Sequence, residues 1–181
     1  MFDVFSLPEG VIVSTQQKFS DDRGWLYEGY NISRCPTELR QLTISESDAN
    51  TLRGMHVHYK RHDYVMVVSG ALILGLVDMR PNSDSFRKSS CLILKPEEAC
   101  TVYIPLGIGH GFAFQEKTRY LTGLSVAWSP EDEFLFRYDD PVLQFDWGVN
   151  EPILSEKDRN AGSFESAVRQ YLEAASGSQG G

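Results

Sequence analysis

The segment Leu52–Gly70, LRGMHVHYKRHDYVMVVSG, decides the fold and gathers most of the polar chemistry of the chain. It contains three of the four histidines within seven residues and then continues into β-branched and apolar residues. His56 and His58 are two residues apart, so in an extended strand both side chains point to the same face of a sheet. Polar residues concentrated on one inward face indicate a site.

A second segment, Tyr103–Phe114 (YIPLGIGHGFAF), carries the fourth histidine, His110. Gly and Pro punctuate this segment, which predicts that His110 lies in a turn between two apolar strands. We expect the two segments to meet across a small β-barrel and to build one pocket.

The rest of the chain predicts short strands separated by turn residues, which is typical of an antiparallel all-β sandwich or barrel. Apolar residues at helical spacing after Ser163 predict one closing helix. Residues 176–181 are predicted to be a frayed C-terminal tail. The whole chain, 1–181, is predicted to form a single domain. Two strands are predicted within 11–31, joined by a turn at 20–24. Two further strands begin at Thr51 and at Tyr64. The remaining predicted strands are 39–45, 71–79, 90–94, 101–104, 111–114 and 119–128. A short helical turn is predicted at 33–38.

Composition limits the classes of partner. The 181 residues carry a formal net charge of −8, which argues against binding to nucleic acid or to anionic membranes. No segment approaches the ~20 apolar residues of a membrane span. Cys35, Cys91 and Cys100 are odd in number and form no CxxC pair, so we predict unpaired thiols in a soluble, cytoplasmic protein.

Five segments in register resemble the cupin superfamily and, within it, the dTDP-4-dehydrorhamnose 3,5-epimerase family. They are DDRGWLYEGY at 21–30, LRGMH at 52–56, IPLGIGHGF at 104–112, SPEDE at 129–133 and PILSEKDRN at 152–160. The resemblance implies a jelly-roll barrel that forms a homodimer and needs no cofactor. The implied activity is epimerisation of a nucleotide-linked 4-keto-6-deoxyhexose at C3, at C5 or at both.

The resemblance also implies a catalytic pair, with His56 as the base and Asp158 as its orienting partner. A base must take the acidified proton beside the ketone, and imidazole titrates near the working pH. A carboxylate on the other ring nitrogen fixes the tautomer and stabilises the charged ring. Locally, Asp158 within EKDR reads as a surface charge, so its role depends on the resemblance.

The implied substrate-binding residues include two arginines. Arg23 and Arg53 match positions that hold the diphosphate, a role that suits the planar donors of guanidinium. In related dimers the loop that carries Arg23 reaches the neighbouring subunit's pocket. The remaining residues that we assign to substrate binding are Glu28, Gln41, Thr122 and Trp128.

Two positions depart from the family pattern. Thr122 stands where the family has a tyrosine that returns a proton to the opposite face, and Asp63 stands where it has a lysine near the substrate oxygen. Tyr120 shares the face of Thr122 in a regular strand and is our candidate replacement acid. These departures favour epimerisation at a single carbon. The candidate donors to an oxyanion are His58, His62 and His110.

Three alternatives remain open on the residues alone. The His56-Val57-His58 pair resembles the signature of nucleotide-sugar 3,4-ketoisomerases, which need no opposite-face acid. A metal-binding cupin is a second alternative, with ligands drawn from His56, His58, Asp63 and His110. A non-catalytic sugar-nucleotide binder is the third.

Overall fold

A computed structural model describes residues 7–177 of the chain. The strands are β1 (Ile12–Thr15), β2 (Phe19–Asp21), β3 (Gly24–Leu26), β4 (Gln41–Ser47), β5 (Thr51–Val57), β6 (Asp63–Ser69), β7 (Leu72–Asp78), β8 (Ser89–Leu94), β9 (Cys100–Ile104), β10 (Ile108–Phe114), β11 (Thr118–Leu124) and β12 (Phe134–Leu135). The helices are α1 (Glu156–Arg159) and α2 (Phe164–Gly177), with 3-10 turns at Pro96–Glu98 and Pro130–Asp132.

Two five-stranded antiparallel sheets form the barrel. The first sheet has the order β1-β9-β6-β11-β4, and the second has the order β12-β5-β10-β7-β8. Strands β2 and β3 form a separate hairpin. From β4 to β12 the chain passes back and forth between the two sheets, except that β7 and β8 are neighbours in one sheet, and this gives the jelly-roll arrangement expected from the sequence.

The core has two layers that follow the period-2 alternation of β7. Leu72, Leu74 and Leu76 point between the sheets, whereas Ile73 and Val77 pack on the outer face of the second sheet. Strand β7 is therefore buried along its whole length, which explains its continuous apolar run.

Helix α2 covers the outer face of the second sheet. Its buried positions recur at helical spacing, at Phe164, Ala167, Val168 and Tyr171. The Ser163 hydroxyl accepts a hydrogen bond from the Ser166 backbone at 3.3 Å, as the predicted N-cap requires. Phe164 is 1% exposed, so its burial contributes about 1.5–3 kcal/mol.

The predicted all-β class with a closing helix is confirmed, with local corrections. His110 lies inside β10 and not in a turn, because β10 begins at Ile108 and pairs with β7 through the Gly-rich segment. Strand β11 ends at Leu124, four residues before Trp128. Helix α2 continues through Gly177, so Ser176 is not in a frayed tail, and 178–181 lie outside the described residues.

Other local predictions agree with the described chain. At the predicted helical turn, 33–38, the chain has a turn at 32–34 followed by a bend at 35–37, and all three cysteines are free thiols. Within 7–177, no helix has both the length and the apolar character that a bilayer crossing requires.

Candidate active site

An open cavity of about 340 Å³ lies between the two sheets. Strands β4, β6 and β11 of the first sheet and β5 and β10 of the second line its walls, so the two predicted segments do build one pocket. Its polar lining comes from Gln41, Thr43, Ser45, Arg53, His56, Arg61, Asp63, His110, Tyr120, Thr122, Trp128 and Glu133. A site of this size with convergent polar groups suits a small polar ligand.

Two glycines let the histidine-bearing strands approach each other. His56 in β5 is directly opposite His110 in β10. Gly54 has φ of +105°, and a Cβ there would lie 2.9 Å from Gly111 Cα and from the His110 carbonyl oxygen. Glycine is therefore required in the LRGMH segment for both the backbone angle and the contact.

His56 and Asp158 form a hydrogen-bonded pair at the cavity. His56 Nε2 lies 3.1 Å from Asp158 Oδ1, and because a carboxylate only accepts, Nε2 carries the proton. The lone pair of the neutral ring is then on Nδ1, which lies 4.0 Å from Glu133 Oε1. The His56 side chain is 25% exposed, so a ligand in the cavity has access to it.

Helix α1 holds the Asp158 carboxylate in place. Ser155 caps the helix by accepting from the Asp158 backbone at 3.1 Å, and its hydroxyl donates to Asp158 Oδ2 at 2.8 Å. Burial raises the pKa of Asp158, but hydrogen bonds from His56 and Ser155 outweigh it, so the pKa lies below its usual value. Asp158 is therefore ionised at neutral pH and orients the ring.

A buried polar cluster lies beside this pair. It consists of His58, Arg61, Asp63 and His110, each less than a tenth exposed. Asp63 Oδ2 lies 3.0 Å from His110 Nε2, and Asp63 Oδ1 accepts from Arg61 Nε at 3.2 Å. Burial raises the pKa of Asp63, but the hydrogen bond from His110 and electrostatic attraction to His110 and Arg61 lower it to about 2. Asp63 is therefore a carboxylate at neutral pH.

His58 is a neutral ring with both nitrogens engaged. Its Nδ1 donates to the Asp132 carbonyl oxygen at 2.5 Å, and its Nε2 accepts from Arg61 Nη2 at 2.8 Å. Burial lowers the pKa of His58 to about 3, against the attraction of Asp63. His58 lies one residue beyond the end of β5 and does not line the cavity, but its ring is 5.2 Å from that of His110, which is opposite His56.

Tyr120 and Thr122 both reach the cavity from β11, as their shared face predicts. Tyr120 is 3% exposed, and its ring packs against Phe112 and Phe114 with centroid distances of 5.5 and 5.3 Å. The tyrosine is therefore both a core residue and a cavity residue. Its position is held by aromatic packing.

The predicted binding residues Gln41, Arg53 and Trp128 also line the cavity. Arg53 Nε donates to Ser47 Oγ at 2.9 Å, and the Trp128 backbone donates to Gln41 Oε1 at 2.9 Å. Trp128 is 49% exposed and lines the cavity, so its ring is accessible to a ligand.

Comparisons with known proteins identify the family of this chain. The sequence pattern of the dTDP-4-dehydrorhamnose 3,5-epimerase family matches residues 6–166. The chain belongs to this family. The predicted enzyme class, an isomerase that epimerises a nucleotide-linked 4-keto-6-deoxy sugar, and the predicted cupin jelly-roll fold are those of this family and are confirmed.

Individual epimerases match over most of their length. The dTDP-4-dehydrorhamnose 3,5-epimerase of Pseudomonas aeruginosa is 32% identical over 167 residues, which cover 87% of this chain and 92% of the relative. The dTDP-4-dehydrorhamnose 3-epimerase of Streptomyces niveus is 31% identical over 163 residues, or 84% and 79% of the two chains. The crystal structure of the 3,5-epimerase of Legionella pneumophila in complex with dTDP-4-keto-L-rhamnose has a TM-score of 0.80 and 28% identity, and covers 86% of this chain and 88% of that one.

The residues of this epimerase-family chain do not fit the metal alternative. His58, Asp63 and His110 have ligand atoms within 4.8 Å of one another, but His56 is not part of this group. Arg61 places its guanidinium 2.8 Å from His58 Nε2 and 3.2 Å from Asp63 Oδ1. A positive group thus already pairs with two of the three donors, which opposes a second cation.

Two residues predicted to bind substrate in this family member lie away from the cavity. Arg23 is at the tip of the β2-β3 hairpin, where its side chain is 88% exposed and paired with Asp21 at 2.5 Å. Glu28 pairs with Arg34 and lines a separate cavity of about 60 Å³, which is too small for a sugar nucleotide. One chain alone therefore does not assemble the whole predicted set. His62, a predicted oxyanion donor, is also outside the cavity and contacts the Tyr103 hydroxyl at 2.8 Å.

Sequence reasoning missed four residues that organise the site of this epimerase. Arg61 and Glu133 line the cavity, and Ser155 fixes Asp158. Asp132 accepts from the backbones of Tyr59 and Lys60 at 2.8 and 2.9 Å and so holds the loop that carries Arg61. Glu133 and Asp132 belong to the SPEDE segment, so a signal was present, but their roles required the fold.

Proposed function

We propose that this chain, as one cupin domain, epimerises a dTDP-linked 4-keto-6-deoxyhexose at a single carbon beside the ketone, with His56 as the base. The observation that carries the proposal is the 3.1 Å contact between His56 Nε2 and Asp158 Oδ1 at the wall of the 340 Å³ cavity. Family membership indicates the substrate class, and the crystal structure of the Legionella relative contains a bound dTDP-4-keto sugar.

The proposed first step is proton abstraction. His56 Nδ1 takes the proton from the carbon next to the carbonyl, and the C–H electron pair moves to form an enolate. Asp158 accepts from Nε2 throughout, so the ring is held in the reactive tautomer and its positive charge is stabilised after proton capture. A positioned base of this kind contributes roughly 10²–10⁴-fold.

The proposed second step returns a proton to the opposite face of the same carbon. Tyr120 is the candidate donor, because it lines the cavity from β11, across the barrel from His56 on β5. Thr122 is a poor acid at neutral pH, which supports reaction at one carbon. A relative that carries the name 3-epimerase shows that the family includes such enzymes.

The ketoisomerase alternative requires His58 to exchange protons with substrate. In this chain His58 is outside the cavity lining, and its two nitrogens are already bonded to Asp132 and Arg61. The comparisons also favour the epimerases. We therefore place this alternative second to epimerisation.

The proposed substrate contacts divide between two subunits. Arg53, Gln41 and Trp128 would hold the ligand from within the chain, and Arg23 and Glu28 of the partner subunit would reach the same ligand. Exposed apolar side chains support a homodimer, because water-facing apolar surface on this scale is typical of an interface. They are Phe19, Trp25 and Leu26 on the hairpin and Leu42 and Ile44 on β4, between 52% and 75% exposed.

No nucleic acid, membrane or cofactor enters the proposed reaction, and the free thiols agree with a cytoplasmic location. Proton NMR in deuterated water with dTDP-4-keto-6-deoxyglucose tests the function. Epimerisation predicts deuterium at one carbon with the ketone in place, and product of inverted configuration. Migration of the ketone would identify a ketoisomerase, and the absence of both changes would leave a binder.

A further inference from the structure

The enolate oxygen in the proposed reaction needs a donor that the family pattern does not supply here. Proton abstraction transfers the C–H electron pair toward the carbonyl, so its oxygen gains negative charge. Asp63 stands where the resemblance expects a lysine, and an ionised carboxylate opposes that charge. A chain that keeps the base therefore needs a hydrogen-bond donor from elsewhere in the cavity, and a cation suits this role best.

Arg61 supplies a cation at this wall of the cavity. Its side chain is 6% exposed and contributes to the cavity lining beside Asp63, His110 and Glu133. The loop between β5 and β6 that carries it is held by Asp132. The charge is thus fixed in a largely desolvated place, where a guanidinium acts more strongly on a ligand than it does in water.

The hydrogen bonds of Arg61 are incomplete. Its Nε donates to Asp63 Oδ1 at 3.2 Å, and its Nη2 donates to His58 Nε2 at 2.8 Å. Its Nη1 is buried and has no acceptor among residues 7–177. A buried donor without a partner is uncommon, and an oxygen supplied by a ligand is one explanation of it.

The charges around Arg61 leave its positive charge partly available. The Asp63 carboxylate is shared, because its Oδ2 lies 3.0 Å from His110 Nε2 while its Oδ1 accepts from Arg61 Nε at 3.2 Å. Asp63 therefore does not pair with Arg61 alone. Glu133 is 3.8 Å from Arg61 Nη2, beyond hydrogen-bond distance.

We propose that Arg61 is a catalytic residue that donates a hydrogen bond to the carbonyl oxygen of the substrate and holds its negative charge as the enolate forms. The inference rests on the proposed function. Asp63 and His58 are positioning residues, since each accepts from the guanidinium and neither provides a donor to the ligand. The same Glu133 oxygen lies within 4.0 Å of His56 Nδ1 and of Arg61, so base and cation flank one region of the cavity.

The test compares Arg61→Gln, Arg61→Lys and the parent by the rate of deuterium exchange beside the ketone of dTDP-4-keto-6-deoxyglucose. Removal of one oxyanion donor predicts an exchange rate lower by roughly 10²–10³-fold in Arg61→Gln. Arg61→Lys keeps the charge, and we expect it to exchange at least about tenfold faster than Arg61→Gln. The affinity for dTDP, measured by calorimetry, should stay within about threefold, because the interaction forms with the sugar oxygen.

Arg119→Gln is the matched control, because Arg119 is on β11 with a 63% exposed side chain paired to Glu46 outside the cavity. Its exchange rate should equal that of the parent. If Arg61→Gln fails to fold, Arg61→Gln with Asp63→Asn removes both buried charges together and is measured in its place, with the same expected loss. Exchange within about threefold of the parent in a folded variant overturns the role of Arg61 and leaves the proposed function standing. A parent that shows no exchange overturns both.

Discussion

His56 and Asp158 are 102 residues apart in sequence, and their side chains meet at 3.1 Å where helix α1 packs against strand β5. The helix is only one turn long, but Ser155 caps it and also bonds the carboxylate. The orientation of the base therefore depends on the local structure of the PILSEKDRN segment. This relation gives the first two predictions.

Replacement of the base, His56→Ala, should abolish uptake of solvent deuterium beside the ketone. The reason is that Nδ1 of this ring is the proposed proton acceptor, and loss of a general base costs roughly 10²–10⁴-fold. The affinity for dTDP should change by less than about threefold, since binding of the nucleotide does not require the proton acceptor. NMR exchange and calorimetry check the two expectations. Exchange that persists at the parent rate would show that another group is the base.

Replacement of the orienting carboxylate, Asp158→Asn, should lower turnover by about 10²–10⁴-fold with a small effect on KM. An amide NH₂ facing Nε2 favours the wrong tautomer and does not stabilise the protonated ring. Glu156→Gln is the matched control, because Glu156 is on the same helix and exposed. Steady-state kinetics should separate the two variants. Equal activities would remove Asp158 from the proposed mechanism.

Protonation of His58 should destabilise the fold in acid. Burial lowers the pKa of this ring to about 3, so below its unfolded pKa of 6.5 the unfolded chain binds the proton and the folded chain does not. Stability is thus fully present above pH 6.5 and is lost as the pH falls toward 3. The contribution approaches about 1.4 kcal/mol per pH unit well inside this range.

The measurement is the free energy of unfolding in urea at pH 7 and pH 5 for the parent and for His58→Gln. The variant should be less stable at pH 7, because the glutamine is a poorer partner for Arg61 and Asp132, but its stability should depend less steeply on pH. The other three histidines are common to both proteins, so they cancel in the comparison. Parallel pH curves would show that His58 does not cause the acid sensitivity.

Tyr120→Phe should reduce product formation more than deuterium exchange. If the phenol returns the proton to the opposite face, its loss leaves abstraction by His56 intact and slows inversion. The aromatic packing with Phe112 and Phe114 is retained, so folding should be little changed. Tyr171→Phe is the control, since Tyr171 is on the buried face of α2, away from the cavity. Unchanged product formation in Tyr120→Phe would leave Tyr120 as a core residue only.

The fold was predictable because its signals are local. Period-2 alternation and turn residues located most strands, and spacing of three and four located α2. His110 was misplaced because Gly and Pro near a residue favour a turn, whereas pairing with β7 extends the strand through those glycines. Similarly, β5 ends at Val57, one residue before His58, and alternation does not reveal this boundary.

The site was less predictable because its partners are distant in sequence. EKDR carries no local sign that Asp158 is 5% exposed, and only the resemblance identified it. Arg61 was missed because a basic residue in YKRHD reads as a surface charge, and its burial depends on Asp63, His58 and Asp132. Whether a charged side chain is buried depends on tertiary contacts, which the adjacent residues in the sequence do not reveal.

The distance of Arg23 from the cavity gives a prediction about assembly. If Arg23 binds ligand in the neighbouring subunit's cavity, each active site takes His56 from one subunit and Arg23 from the other. Arg23→Gln and His56→Ala then damage contributions from different subunits. A mixed dimer then has one site with both changes and one with neither. An equal mixture of the two variants should therefore recover up to about a quarter of the parent's active sites after subunit exchange, although each variant alone is weakly active or inactive.

Sedimentation velocity should first show that both variants are dimers, and kinetics at subsaturating substrate should then follow recovery as the subunits exchange. Each variant taken alone through the same exchange procedure is the control for nonspecific recovery. Failure to recover activity in verified mixed dimers would mean that Arg23 acts within its own chain or not at all. If sedimentation shows a monomer, no site can be shared between subunits. Arg53 would then be the arginine that binds the diphosphate in the cavity.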